Sequence, residues 1–413
     1  MAFFSRELAL SINLWALTFV LAFLIATPVP IQAVVASIML YAIAYLVAHR
    51  RTFAMSRLDW AVLVLLSLYA LSRMPLFVLD GYAFRYLSPG LHMAGLIPVY
   101  LMLRHLLSPI DERQFRCFME WGVVIGCVGA LCIAVVQTQV QGAHRADGFL
   151  FSINFGYLSC AMTFLALSLL RGGLYPGWLL LAALAGAVAC MLTLTRGAIL
   201  AIPPLILLIL ALNADRLGKV RILGFVIAVA ALALLSYVTM PSVERRVTHS
   251  ISEFTHIAEG NVEAAVSSGG RLQLWTAATH AFMARPLVGL TYDERERLNA
   301  ELVEEGVVTS WVLGVSRGHA HSQYFEMAAS GGLLGLMGLF GYLVMPGLYH
   351  WRNYRADRDN IWSQVALVFT AGFILYSLTE AAIHKEMMAT FYAYMQVVLL
   401  SLALCHRKDE KTL

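Results

Sequence analysis

The fold class this sequence predicts is an all-α, polytopic membrane helix bundle, and three observations predict it. Hydrophobic residues make up 60% of the 413 and charged residues 13%, against roughly 45–50% and about 25% in a soluble domain; mean hydropathy is +0.73. The apolar residues gather into runs of about 20, the length that carries a helix across roughly 30 Å of hydrocarbon. Lysine and arginine alternate between plentiful and scarce in the stretches between runs, the asymmetry that orients membrane helices.

In chain order the runs predict twelve spans: residues 9–27, 31–48, 58–74, 90–107, 117–138, 153–170, 177–195, 197–213, 221–240, 322–349, 362–381 and 388–406. The first run has no small-residue cleavage site behind a short apolar stretch, so it reads as a retained span. With the N-terminus on the cytoplasmic side, 17 of the 29 lysines and arginines fall there. Of the other 12, 7 lie in the long segment 241–320, where the rule has little force. Twelve spans with both termini cytoplasmic satisfy this pattern.

Short loops join nearly all the runs, which divides the chain into a bundle over 1–240, an extracytoplasmic segment over 241–320 and a second part of the bundle over 321–413. The segment reads as three short helices. Val247, Ile251 and Phe254 mark one over Val243–Ile257, and Leu274, Trp275, Ala278 and Phe282 mark another over Leu272–Met283. The third, Asp293–Glu305, is strongly charged. The first two are amphipathic enough to lie on a membrane surface or to cap the bundle. A connection this long inside a compact protein is usually functional, although a solvated cap fits the same pattern.

Chemistry concentrates on the outer side. His319 and His321 stand where the long segment meets a membrane span, and histidine is the side chain that exchanges a proton nearest neutral pH. Two residues apart, they share a face only in an extended stretch. No third ligand stands nearby at a recognisable spacing, so no metal is expected. Arg196 lies between two apolar runs, where a charge needs a partner or a purpose; a side chain snorkelling to headgroups fits equally. Arg271 follows Ser267-Ser268-Gly269-Gly270 at a helix start, where backbone N–H groups and a planar guanidinium favour phosphate. Arg85, Arg145 and Lys385 add positive charge in short outer loops. Glu380 and Glu386 bracket Lys385 and read as its ion partners, whereas Asp147 and Glu326 read as isolated.

The six cysteines, Cys117, Cys127, Cys132, Cys160, Cys190 and Cys405, all fall in spans or at their cytoplasmic ends, so no disulfide framework is predicted. There is no P-loop, no dinucleotide glycine fingerprint and no Asp-x-Asp site in the first outer loop. No cofactor and no nucleic-acid partner are expected.

Three blocks resemble the O-antigen ligase and polymerase superfamily. Thr193-Leu194-Thr195-Arg196-Gly197-Ala198 resembles its Ser-Arg-Gly turn between two spans. Gly270-Arg271-Leu272-Gln273-Leu274-Trp275 with Arg285-Pro286-Leu287-Val288-Gly289 resembles its Arg-x-x-x-Trp and Pro-Leu-x-Gly block. His319-Ala320-His321-Ser322-Gln323-Tyr324 with Gly331-Gly332-Leu333-Leu334-Gly335-Leu336 resembles its His-Asn-x-Tyr and Gly-x-x-Gly-Leu ending. The likeness covers roughly 180–340, with Thr195 in place of the usual serine and Ser322 in place of the usual asparagine.

The resemblance implies a GT-C-like enzyme of the bacterial inner membrane that transfers a glycan, without metal and with inversion, on the periplasmic face. The donor would be undecaprenyl-diphosphate-linked O-antigen, the acceptor a sugar of lipid A–core oligosaccharide, with membrane lipids around the site. By position, Arg196 and Arg271 would hold the diphosphate and His321 would be the base; His319, Arg145, Tyr324, Lys385 and Arg85 are secondary candidates. A polymerase extending the glycan on the same donor, and a protein O-oligosaccharyltransferase, share these blocks. From another class, a transporter or flippase for an anionic lipid remains open, although the Pro203-Pro204 break has no counterpart in a second half.

Overall fold

The computed structural model describes residues 4–410 except 28–30, 260–267 and positions 219, 221, 225, 228–230, 232–233, 235–236 and 239–240. Helices dominate the described residues, with no strand among them. This is the all-α membrane fold that the composition predicts. Contacts group the chain into two compact units, residues 1–205 with 337–413, and residues 206–336.

The first unit contains α1 (Arg6–Phe23), α2 (Ile31–Ala48), α3 (Arg57–Leu79), α4 (Ser88–Ala94), α5 (Ile97–Leu106), α6 (Glu112–Val135), α7 (Ser152–Leu169), α8 (Pro176–Leu192) and the start of α9 (Arg196–Leu212). Most of α15 (Gly332–Ala356), then α16 (Ile361–Thr379) and α17 (Glu386–Glu410), complete it. Among the described residues, eight helices are long and apolar enough to cross a membrane, and α8 and α9 are shorter apolar helices of 17 residues each. The predicted span 221–240 lies largely outside the described residues.

Two predicted spans have a different form. The run 90–107 is two short helices, because Gly95 caps α4 and Pro98, in the first turn of α5, has no N–H to continue a ladder. The run 322–349 opens with a separate helix and breaks at Gly332, whose φ is +59°; α15 then continues past the apolar stretch to Ala356. Pro203 and Pro204, by contrast, do not break α9, which runs through both.

Small residues let the helices approach, the usual device where lipid offers no hydrophobic drive between them. On α6, Gly122 and Gly126 face α1: a methyl group at Gly126 would lie 2.3 Å from the Leu21 carbonyl oxygen. Gly338 and Gly341 on α15 do the same against Ser72 and Leu68 of α3. Polar ties close one end of this unit. The Trp362 indole N–H donates to Glu112 at 2.6 Å, Arg171 donates to Gln364 at 2.6 Å, and buried Glu120 accepts the Leu174 N–H at 3.0 Å. At the opposite end lies the α8–α9 turn that carries Arg196.

The second unit holds the rest of α9, α10 (Ala214–Leu217), α11 (Pro241–Ala258), α12 (Ser268–Ala284), α13 (Tyr292–Glu304) and α14 (Gln323–Ala329), with the start of α15. Val247 and Ile251, on the apolar stripe of α11, are exposed. Two small cores order the remainder. Leu274 and Ala277 pack with Leu302, Val308 and Val312, while Ala278 and Ala281 pack with Leu290, Ala320 and Ala329. Helix α13 starts with a capping box: Glu294 N–H donates to the Thr291 hydroxyl, and the Glu294 carboxylate accepts the Thr291 N–H.

Candidate active site

Within residues 206–336, α12 presents the second sequence block. Gly270 lies flat against the Trp311 ring, where a methyl group would come within 2.6 Å. Arg271 follows at once, half-buried, with Trp275 one turn later on the same face. The Trp275 indole stacks on Phe325 of α14, with centroids 4.9 Å apart and planes 7° apart, and its N–H donates to the Ala320 carbonyl at 3.0 Å. The helix that carries Arg271 therefore holds the peptide between the two histidines.

That peptide is wound tightly. His321 has φ +45°, a left-handed conformation that costs a side-chain-bearing residue about 1–3 kcal/mol. Its backbone N–H donates to His319 Nδ1 at 3.2 Å, and the two rings meet edge to face with centroids 4.7 Å apart. The nitrogen that accepts this bond carries no proton, so in the neutral ring the proton of His319 sits on Nε2. Both rings are half-buried. Tyr324 stands in the first turn of α14, and burial pushes its phenol up to about 12, so at neutral pH it is a hydrogen-bond donor rather than a base.

The second and third blocks meet again behind the turn. Leu333 N–H donates to the Pro286 carbonyl at 2.7 Å, Leu334 N–H to the Leu287 carbonyl at 3.1 Å, and Leu290 N–H to the Ala329 carbonyl at 2.8 Å. Such an approach needs glycine on both strands of chain. A methyl group at Gly289 would sit 2.3 Å from the Gly331 nitrogen, and one at Gly332 would sit 2.4 Å from the Pro286 oxygen. Arg285 clasps Glu294 in a fork, at 3.0 and 2.7 Å. Burial alone would raise the Glu294 carboxyl; the Arg285 guanidinium and the Thr291 groups outweigh it and hold the carboxyl below its ordinary value.

Sequence reading missed the groups that fix this turn. Glu326 is not isolated: it pairs with Arg295 at 2.8 Å, and both are buried. A signal existed. Tyr292, Arg295, Asn299 and Leu302 are spaced as one helix face, and all four are buried, so an arginine and an asparagine occupy an apolar stripe.

In the first unit, the Arg196 turn is built as tightly. Leu194 has φ +53°. The Thr195 hydroxyl donates to the Ser152 carbonyl at 2.9 Å, and Thr195 N–H donates to the Thr193 hydroxyl at 3.2 Å. Gly197 leaves room for the Tyr157–Thr379 hydroxyl pair, 2.7 Å apart, and a methyl group there would come within 2.2 Å of both oxygens. Arg145 reaches the Thr195 hydroxyl at 3.4 Å from a loop that Gln137 pins by accepting the Asp147 and Gly148 N–H groups. Arg145 and Arg196 thus share one end of this unit.

Two candidates remain, Arg85 and Lys385. Arg85 pairs with Asp80 at 2.6 Å and lies over the Tyr86 ring. Lys385 is exposed, and its expected ion pairs are replaced: Glu386 instead accepts from Ser88 and lies 3.7 Å from His92, while Glu380 is buried.

All three blocks and the helix that joins them fall inside one recognisable segment. Residues 181–340 match the O-Antigen ligase family model. The O-antigen ligase match begins in α8 and ends in α15, so it contains Arg196, Arg271, His319 and His321. A protein of Haemophilus influenzae described as uncharacterized is similar to this chain, 25% identical over 160 residues. The alignment covers 38% of this chain and 39% of that protein, so the chain spans about two fifths of the length of this relative. Residues 181–340 are thus similar to the O-antigen ligase family, in a chain whose described residues include eight helices long and apolar enough to cross a membrane.

Proposed function

We propose that this protein is an O-antigen ligase of the bacterial inner membrane, acting on the periplasmic face. It transfers a glycan from an undecaprenyl-diphosphate carrier to a hydroxyl of lipid A–core oligosaccharide. The observation that carries the reading is the hydrogen bond from Trp275 to Ala320, which ties the two-histidine turn to the helix bearing Arg271. A half-buried imidazole on a turn tied to a helix that bears an arginine suits a transfer whose nucleophile is a hydroxyl and whose leaving group is anionic.

In this reading His321 takes the proton of the acceptor hydroxyl as its oxygen attacks the anomeric carbon. The bond from that carbon to the phosphate oxygen breaks, and undecaprenyl diphosphate leaves with the electron pair. Arg271 and Arg196, assigned to the diphosphate by the likeness of their blocks to the family, offset that charge with bidentate forks. Direct displacement by the acceptor hydroxyl inverts the anomeric configuration. Tyr324, kept protonated by burial, is a donor beside the two-histidine turn, and His319 orients that turn by accepting the His321 N–H.

The test is transfer from purified undecaprenyl-diphosphate-linked glycan to lipid A–core by the native protein and by His321→Ala. Product from the native protein, lost in the variant while donor binding survives, is the expected result. Chain growth on the donor itself would make the protein a polymerase. Donor that only crosses the bilayer would end the enzyme reading.

A further inference from the structure

Four backbone groups around the two histidines are each held by a specific partner. The Gly318 carbonyl accepts from Arg295 Nη2, the Ala320 N–H donates to Glu326 Oε2 at 3.0 Å, the Ala320 carbonyl accepts from Trp275 at 3.0 Å, and the His321 N–H donates to His319. Arg295 and Glu326 are joined to each other at 2.8 Å, and Arg295 Nη1 also donates to the Ser330 hydroxyl at 2.8 Å. Arg295 is 2% exposed and Glu326 1%. Gly318 has φ +57°, and a methyl group there would lie 2.9 Å from Asn299 Nδ2, so the chain is pressed onto the α13 face that carries the arginine.

Burying an ion pair gains little stability over a well-packed apolar pair, because both charges must be desolvated. Here the charges do something an apolar pair cannot: one fork and one carboxylate grip the peptide groups on both sides of His319 while holding each other. A residue at φ +45° relaxes unless its surroundings over-determine it. We propose that Arg295 and Glu326 are positioning residues of the transfer reaction, fixing the backbone from Gly318 to His321 so that the base stays aimed at the acceptor hydroxyl. This rests on the ligase reading above. The pair acts on the rate of transfer and leaves donor binding alone.

The experiment compares the full-length native protein with Arg295→Lys and Ser330→Ala in nanodiscs, reading folding, affinity for undecaprenyl diphosphate and kcat at saturating donor. Lysine keeps the charge beside Glu326 but has no fork to hold the Gly318 carbonyl as well. Arg295→Lys should stay folded, bind undecaprenyl diphosphate within about twofold of native and lose about 30- to 100-fold in kcat, the scale of a base misplaced by an ångström. Ser330→Ala, which leaves the Gly318 and Ala320 contacts intact, should keep kcat within about threefold. Native kcat in Arg295→Lys overturns the inference, and so does a loss of kcat matched by an equal loss of binding.

Should Arg295→Lys fail to fold, Glu326→Gln is read in the same way, since its amide oxygen still accepts from Ala320 while the charge pair is gone. Failure of both to fold would make the pair a stability device and overturn the positioning role. Hydrogen exchange of peptides over 317–322 separates this inference from the ligase reading. Unchanged protection in folded Arg295→Lys sinks the inference whatever the reaction, whereas a native protein that forms no glycan product sinks the ligase reading alone.

Discussion

Trp275 and Ala320, forty-five residues apart, are joined by a 3.0 Å hydrogen bond from indole N–H to carbonyl. Ala320 is fully buried between two half-buried histidines, so the bond fixes the turn and not a surface loop. Trp275→Phe removes this donor but keeps an aromatic ring to stack on Phe325. The folded variant should lose about 1 kcal/mol of stability and about tenfold in transfer rate, with donor affinity unchanged. Steady-state transfer alongside donor binding checks this; a native rate in the variant would show that the indole N–H does not position the proposed base.

The glycine crossing makes a prediction about stability. Gly289 has φ +72° and no room for a methyl group, while Gly306 has the same φ with nothing within 4 Å. Gly306→Ala should cost only the left-handed term, about 1–2 kcal/mol. Gly289→Ala adds overpacking and should cost about 2–4 kcal/mol in total. Thermal unfolding of the two variants in one detergent measures the difference. Equal losses would mean that the Pro286–Gly289 and Gly331–Gly332 backbones need not touch.

The Arg285–Glu294 fork sets a pH dependence. The Glu294 carboxyl is held below its ordinary value of 4.5, so its contribution is fully present above that value and fades as pH falls through the lower folded value. Both side chains are about one-third exposed, at 38% and 34%, so solvent screens the pair and its worth is about 0.5 kcal/mol. Glu294→Gln should therefore lower the unfolding temperature slightly at pH 7 and make no difference in strong acid. A gap between native and variant that persists at the acid end would refute the assignment.

Much of this architecture is legible in the sequence because it is written locally. Apolar runs of about 20 residues announce spans, and Leu274, Trp275, Ala278 and Phe282 announce α12 through their spacing alone. The break at Gly95-Leu96 is hidden because hydropathy is blind to a missing N–H, and one proline, Pro98, hardly lowers the average of the apolar run around it. The break before α15 is hidden in the same way, by glycines that sit inside an apolar run until Gly332 is seen at positive φ.

The site is legible in part for a related reason. His319, His321 and Arg271 stand out as chemically capable residues beside membrane spans, and a lone sequence displays such residues directly. The groups that hold them do not stand out. Glu326 looks isolated because its partner, Arg295, lies 31 positions away, and an ion pair across that distance leaves no local periodicity. Lys385 misleads in the opposite direction: two glutamates flank it in the chain, yet Glu386 turns to Ser88 and His92. Nearness in sequence is a poor guide to pairing once helices end.

With His321 as the proposed base, its left-handed backbone sets stability against activity at one position. Glycine tolerates φ +45° without the penalty a branching side chain incurs. A selection for expression or heat resistance alone should therefore drift toward glycine at 321 and gain up to about 1 kcal/mol, while discarding the imidazole. The native chain keeps histidine at its own thermodynamic expense, and the wealth of hydrogen bonds around residues 318–321 is what makes that expense sustainable.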